Sequence, residues 1–294
     1  LQRWRTSHEP ERQAYTFLGD GEAEERSVTY GELDRQAQVV AARLETLGVA
    51  SGERALLFYP PGLNYVAAFL GCLYAGVVAV PAYPPRPNRS VSRLRAIAAS
   101  SKATVALTTT RILSRLERRS EYAPEMKSLR WLATDDGKDP AGKWRRPGLG
   151  ANTLAFLQYT SGSTAAPKGV MLTHGNLLHN LAMIYHALGH TSHSQMVIWL
   201  PPYHDMGLIG GVLQPLYAGL PVALMLPTSF LQHPLRWLRA ISRLGAHTSG
   251  GPNFAYDLCV RRTTPEERST LDLSNWEVAF TGAEPIRQET LERF

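Results

Sequence analysis

Residues 157–176 read Leu-Gln-Tyr-Thr-Ser-Gly-Ser-Thr-Ala-Ala-Pro-Lys-Gly-Val-Met-Leu-Thr-His-Gly-Asn. The hydroxyls of Thr160, Ser161, Ser163 and Thr164 cluster around Gly162, and Pro167, Lys168 and Gly169 follow. Hydroxyls and backbone N–H groups wrap anionic oxygens, and a lysine neutralises them, so the run reads as a cradle for an anion such as a phosphate. The apolar stretch before it, residues 154–159, is expected to be a buried strand, with β-branched residues resuming at Val170. That places the cradle at a strand end. A Walker A loop puts its lysine directly after the second glycine, at the start of a helix. Here Lys168 precedes Gly169 and follows Pro167, so that motif is excluded. A flexible Ser/Thr/Gly linker has no need of a Pro-Lys-Gly clasp between apolar flanks.

Three further segments carry chemistry-bearing residues. Residues 199–211 place Tyr203, His204 and Asp205 after an expected strand at 197–200 and a Pro-Pro loop. A lone histidine is most often structural, but a loop on a rigid scaffold favours a site wall. Residues 248–259 place Gly250 and Gly251 before Pro252, Asn253 and a helix. The pair fits either a turn with a helix cap or a close approach of backbone to a ligand. Residues 281–285 place Gly282, Ala283 and Glu284 after an expected strand at 278–280, and Glu284 reads equally well as a surface carboxylate.

The elements that must position these residues alternate. Strands are expected at 55–59, 77–81, 103–109, 130–133, 154–159, 197–200, 221–226, 247–249 and 278–280. Helices are expected from 33 to 44 and at 65–75, 92–100, 111–118, 176–188, 212–218, 234–244 and 254–262, after a loose start. Strands alternating with helices of about ten residues imply parallel, right-handed crossovers and an α/β fold, with ligands at strand carboxyl ends. No charge occurs from Ala55 to Pro85. A membrane span of that length is conceivable, but Pro60, Pro61, Gly62, Gly71, Gly76 and Pro81 punctuate it, and a buried strand–helix–strand explains it better. The uncharged run 206–235 is broken in the same way.

Of 294 residues, 44% are hydrophobic and 19% charged, a globular composition large enough for one large domain or two subdomains. The formal charge of +6 gathers at Arg111–Arg119 and at Lys143, Arg145 and Arg146, which reads as a solvated basic face. No nucleic-acid-binding module accompanies it. Cys72 and Cys259 sit in apolar surroundings, fitting free buried thiols and a cytoplasmic origin, and no metal-ligand spacing or targeting signal is visible.

The 157–176 loop closely resembles the phosphate-binding signature of the adenylate-forming (AMP-binding) superfamily, with Ala165 where members usually carry glycine. Val28-Thr-Tyr-Gly-Glu-Leu33 and Leu73-Tyr-Ala-Gly-Val-Val-Ala-Val-Pro81 extend the resemblance over nearly the whole chain. The wording of residues 81–87, 203–208 and 249–256 is most similar to fatty-acyl-AMP ligases. The resemblance implies a large N-terminal domain with two mostly parallel sheets flanked by helices. It also implies subdomains near 51–188, holding the phosphate loop, and 1–50 plus 189–294, holding the acyl pocket and adenine loop. It implies ATP and Mg²⁺ as cofactors, with Thr160, Ser161, Gly162, Ser163, Thr164, Lys168 and Gly169 around the phosphates and Thr164 at the metal. Gly282, Ala283 and Glu284 would seat adenine, while Tyr203, His204, Gly250, Gly251, Pro252 and Asn253 would contact the acyl substrate. Lys168, His204 and Thr164 would act in catalysis. Amino-acid-activating members carry an aspartate at the His204 position, so the substrate is expected to lack an α-amine.

The implied reaction converts a fatty acid and ATP to an acyl-adenylate, then passes the acyl group to an acyl carrier protein in polyketide or lipopeptide biosynthesis. A fatty acyl-CoA synthetase and a catalytically incomplete adenylate-binding module are the alternatives. The superfamily's later motifs, including a Mg²⁺-holding glutamate, a ribose-binding aspartate and a C-terminal domain with a catalytic lysine, are expected beyond Phe294.

Overall fold

The structure, a computed structural model, describes residues 1–22, 26–84, 92–117, 126, 128–138, 144–160 and 167–294. Cradle residues 161–166, loop residues 85–87 and the basic residues Arg118, Arg119 and Lys143 lie outside the described residues. The chain forms two compact units, Leu1–Gly31 with Leu181–Phe294, and Glu32–Asn180. Their boundaries fall nearer 31 and 180 than the 50 and 188 read from the sequence.

In chain order, the first unit opens with α1 (Gln2–His8), β1 (Gln13–Leu18) and β2 (Arg26–Thr29). The central unit holds α2 (Tyr30–Thr46), β3 (Arg54–Phe58), α3 (Leu63–Ala75), β4 (Val78–Ala82), α4 (Ser92–Ser101), β5 (Val105–Thr108) and α5 (Thr110–Glu117). It continues with β6 (Arg130–Ala133), β7 (Leu154–Tyr159), β8 (Gly169–Thr173) and the first half of α6 (His174–Ala187), whose residues from Leu181 onward belong to the first unit. The first unit then resumes with β9 (Met196–Ile198), a π-helix (Met206–Leu213), α7 (Gln214–Ala218), β10 (Val222–Met225), α8 (Pro227–Gln232) and α9 (Leu235–Leu244). It closes with β11 (Thr248–Gly251), α10 (Asn253–Arg262), α11 (Pro265–Arg268), β12 (Val278–Thr281) and α12 (Gln288–Arg293).

Each unit is built on a six-stranded sheet, ordered β6-β5-β3-β4-β7-β8 in the central unit and β12-β11-β9-β10-β1-β2 in the other. The pairings are parallel except β7 with β8 and β1 with β2. The α/β architecture with two mostly parallel sheets is as the sequence implied. The hairpin strands β1 and β2 and the helix α1 replace the loose start. β1 pairs with β10 across some two hundred residues of sequence, so no local pattern announces it.

The uncharged run from Ala55 is core. β4 is buried throughout, and α3 buries most of its length before Gly76 closes it in the left-handed region at φ 69°. No helix among the described residues is long and apolar enough to cross a membrane. Alternate residues Leu56 and Phe58, Val78, Val80 and Ala82, and Leu157 and Tyr159 present one sheet face. Leu94, Ile97 and Ala98 of α4 pack in the same cluster. Each leucine, isoleucine, valine or phenylalanine among them contributes about 1.5–3 kcal/mol when fully buried, which holds α4 in this cluster with β7.

The helix α2 joins the central unit through polar and apolar contacts. The Tyr74 hydroxyl donates to Asp34 Oδ1 at 2.6 Å. A Cβ at Gly71 would stand 2.5 Å from Val40 Cβ and 3.1 Å from the Ala37 carbonyl oxygen. Gly71 therefore lets α2 and α3 meet backbone to side chain. Gly71→Val is expected to destabilise the protein by about 1–3 kcal/mol through overpacking, read as a lower urea midpoint with an unchanged m-value.

Candidate functional site

In the central unit, β7 delivers Thr160 at its carboxyl end and β8 returns antiparallel from Gly169. The Thr160 N–H donates to the Lys168 carbonyl oxygen at 3.2 Å, closing the neck of the loop whose residues 161–166 are not described. The Thr160 carbonyl accepts from Arg93 Nη2 at 2.8 Å, a partner the sequence reading missed because Arg93 lies 67 positions away. Lys168 is exposed beside the neck. Gly169 has a packing role, since a Cβ there would lie 2.9 Å from Tyr159 Cζ. An exposed lysine at a loop held shut by its own backbone fits an anion as ligand. Among the described residues no cluster of three or more His, Cys, Asp or Glu could hold a metal ion.

In the other unit, β9, β11 and β12 run parallel, and the segments after them carry the remaining sequence-predicted residues. After β9, His204 Nδ1 lies 2.7 Å from Asp205 Oδ1, and the Asp205 carboxylate also accepts the Met206 N–H at 2.7 Å, capping the π-helix. Hydrogen bonding to that carboxylate holds the pKa of His204 above its usual value, and the same contact lowers that of Asp205. Tyr203 is half-buried and His204 exposed.

An α-helix was expected only from 212. Instead the chain enters a π-helix at Met206, a form that recurs at functional sites. Two glycines admit it. A Cβ at Gly207 would strike the Pro201 carbonyl, and one at Gly211 would lie 2.6 Å from Ile198 Cγ2. The buried Tyr15 hydroxyl donates to the Val212 carbonyl at 2.7 Å, satisfying one carbonyl of the widened turn.

Gly250 and Gly251 complete β11, where the sequence ended the strand at 249. A Cβ on Gly250 would strike the carbonyl and ring of Phe280, and one on Gly251 would lie 2.6 Å from Trp199 Cζ2. The close approach read from these glycines is thus made by the protein's own aromatics. Trp199 stacks on Phe230 at 4.0 Å and meets Phe254 edge-on at 6.1 Å. Pro252 leads into α10. Asn253 is buried, its Nδ2 donating to Thr290 Oγ1 at 3.2 Å and its Oδ1 accepting from the Arg287 N–H at 2.9 Å, so it ties α10 to α12.

After β12, a Cβ at Gly282 would stand 3.2 Å from Met206 Cε, so this loop adjoins the His204 segment. Ala283 takes φ 68°, a conformation that costs a non-glycine residue about 1–2 kcal/mol. Glu284 is more than a surface carboxylate, because its Oε1 accepts the Phe254 N–H at 2.6 Å at the start of α10, where negative charge is favoured.

A buried polar chain braces β11 from beneath. The Gln214 amide lies 3.3 Å from His190 Nδ1, and His190 Nε2 lies 3.1 Å from Thr248 Oγ1. Burial, reinforced by nearby His247, pushes the His190 pKa down to about 4. Both thiols are buried, and burial raises each to about 12, so neither is a nucleophile at neutral pH.

Residues 2–294 match the AMP-binding enzyme family. The chain is 49% identical over 301 residues to the medium-chain-fatty-acid–[acyl-carrier-protein] ligase JamA of Moorena producens, covering 100% of this chain and 50% of that protein. It is 33% identical over 325 residues to the similarly named ligase TtuA of Teredinibacter turnerae, covering 98% and 50%. A fatty acyl-adenylate ligase from L. pneumophila, solved with acyl adenylate and pyrophosphate, superposes with a TM-score of 0.92 at 43% identity, covering 99% of this chain and 50% of that one. The chain spans about half the length of the curated relatives it matches.

Two outcomes are expected of this geometry. In Asp205→Asn, the His204 imidazole should titrate at lower pH than in the wild type, read by NMR; an unmoved midpoint would contradict the pairing. Because the His190 pKa is depressed in the fold, its contribution to stability is full above about pH 6.5 and is lost as pH falls through about 4. His190→Asn should flatten this acid-side decline in urea midpoints.

Proposed function

The chain belongs to the AMP-binding enzyme family, and from that premise we propose that the intact protein activates a fatty acid with ATP and passes the acyl group to an acyl carrier protein. The observation that carries the reading is the neck of the loop, where the Thr160 N–H binds the Lys168 carbonyl at the carboxyl end of β7. This bond brings Thr160 and the exposed Lys168 together at the two ends of the hydroxyl-rich run, which supports reading that run as an anion site. The names of JamA and TtuA, ligases of medium-chain fatty acids to carrier protein, support the substrate and the acceptor.

The reaction is a displacement at phosphorus. A carboxylate oxygen of the fatty acid forms a bond to the α-phosphorus of ATP, the bond to the bridging oxygen breaks, and pyrophosphate leaves with the electron pair. The carrier-protein thiol then attacks the acyl carbonyl, loses its proton and displaces AMP. The protein's contribution is positioning and charge neutralisation. Ser161, Ser163, Thr164 and Lys168 hold the β- and γ-phosphates, with Thr164 at the metal; Mg²⁺, when bound, offsets phosphate charge. Gly282, Ala283 and Glu284 seat the adenine, with Glu284 held in place through the α10 N-terminus. Tyr203 and His204 flank the carboxylate, and the Asp205 contact keeps His204 protonated to higher pH, favouring an anion beside it. Gly250 and Gly251 shape the acyl wall against Phe280 and Trp199, and Pro252 and Asn253 anchor its edge.

The full-length protein should show pyrophosphate exchange into ATP only when a fatty acid is present. With carrier protein supplied, the acyl group should appear as a thioester on it by intact mass. Transfer to CoA alone would replace the acceptor assignment, and ATP binding without acid-dependent exchange would leave only an adenylate-binding module. Lys168→Ala should lower kcat/KM for ATP by about 10- to 100-fold, the worth of a hydrogen bond to a charged group; unchanged exchange would remove Lys168 from the cradle.

A further inference from the structure

The neck of the loop is held from outside the loop. Arg93 donates to the Thr160 carbonyl at 2.8 Å, while the Thr160 N–H is engaged by Lys168 at 3.2 Å. Both polar groups of the residue that leaves β7 are therefore tied. The guanidinium stands on a fixed base. Leu94, Ile97 and Ala98 of α4 are buried in the same cluster as Leu157 and Tyr159 of β7. Near the end of α4, Ser100 Oγ accepts from the Tyr159 hydroxyl at 3.0 Å, and the Tyr159 ring is the group against which Gly169 fits. One helix thus grips the strand entering the loop and, through the Tyr159 ring, the strand leaving it. Arg93 Nε is buried without a partner among the described residues. Leaving a buried charged donor unsatisfied is unfavourable, so packing alone does not account for a guanidinium here.

We infer that Arg93 is a positioning residue for the anion cradle. It fixes the Thr160 carbonyl at the carboxyl end of β7, where the chain sets out toward Lys168, and it brings a positive charge to that strand end. This rests on the reading of residues 160–169 as the site for the phosphates of ATP. A donor to the Thr160 carbonyl acts before any ligand arrives, so its loss weakens ATP use without touching the fatty acid. The planar fork suits the role because one nitrogen can hold the carbonyl while others remain available as donors.

The test uses the full-length protein and two variants. Arg93→Met keeps much of the apolar stem and removes every donor, whereas Arg93→Lys keeps a donor and the charge. Two readouts are taken, the separate KM values for ATP and fatty acid in pyrophosphate exchange, and the rate of tryptic cleavage at the Lys168–Gly169 bond. Arg93→Met should raise the KM for ATP about 10-fold, leave that for the acid unchanged, and speed the cut at Lys168 with no fall in the unfolding midpoint. Arg93→Lys should recover most of both effects. The assignment is overturned if Arg93→Met moves neither readout, if it raises both KM values alike as the unfolding midpoint falls, or if lysine recovers nothing. A faster cut in Arg93→Met, in a protein without acid-dependent exchange, would uphold the clamp and reject the catalytic reading instead.

Discussion

Backbone groups at a strand end must find new partners, and among the described residues the chemistry-bearing segments lie where strands hand them over. At the end of β7, the Thr160 N–H goes to Lys168 and its carbonyl to Arg93. After β9, the Asp205 carboxylate takes the Met206 N–H and simultaneously holds His204. At the start of α10, the Phe254 N–H goes to Glu284. Meeting this one requirement ties the described ends of these segments to the strands and helices beside them.

The second device is glycine used for proximity. Gly207, Gly211, Gly250 and Gly251 each occupy a position where a Cβ would collide with the Pro201 carbonyl, Ile198, Phe280 or Trp199. These contacts draw the π-helix onto the end of β9 and seat the aromatic rings against β11. Trp237 at the centre of this region is fully buried, meets Trp199, Phe230, Tyr256 and Trp276 edge-on, and donates its indole N–H to Ser249 Oγ at 2.8 Å. The wall assigned to the acyl group therefore belongs to the hydrophobic core, which gives it the rigidity a substrate-shaping surface needs.

Much of this was legible in the residues. The α/β alternation followed from apolar runs of strand length separated by helical periodicity, and the buried strand–helix–strand from Ala55 followed from its proline and glycine punctuation. The proposal of an anion cradle comes from residue order alone, because hydroxyls, glycine and lysine are consecutive and need no tertiary contact to be noticed. The hairpin of β1 and β2 was not, because β1 is stabilised by β10 far along the chain. The π-helix was not, since Met206–Leu213 is apolar and glycine-rich and no local pattern separates a π-turn from an α-turn. Glycines 250 and 251 fit either a turn with a helix cap or a close backbone approach to a ligand, and only the fold reveals that Trp199 and Phe280 stand against them.

The amino-acid sequence by itself supplied the residue types on which the proposed site rests, since types and spacing survive without coordinates: the hydroxyls with Lys168, and the histidine at 204. Tertiary structure alone decided how those groups are held. Arg93 at Thr160, Phe254 at Glu284 and Tyr15 at Val212 are contacts between residues 67, 30 and 197 positions apart. The physical reason is that a strand end can be satisfied by any donor or acceptor that the packing brings near, and packing is settled by the whole core rather than by neighbours in the chain.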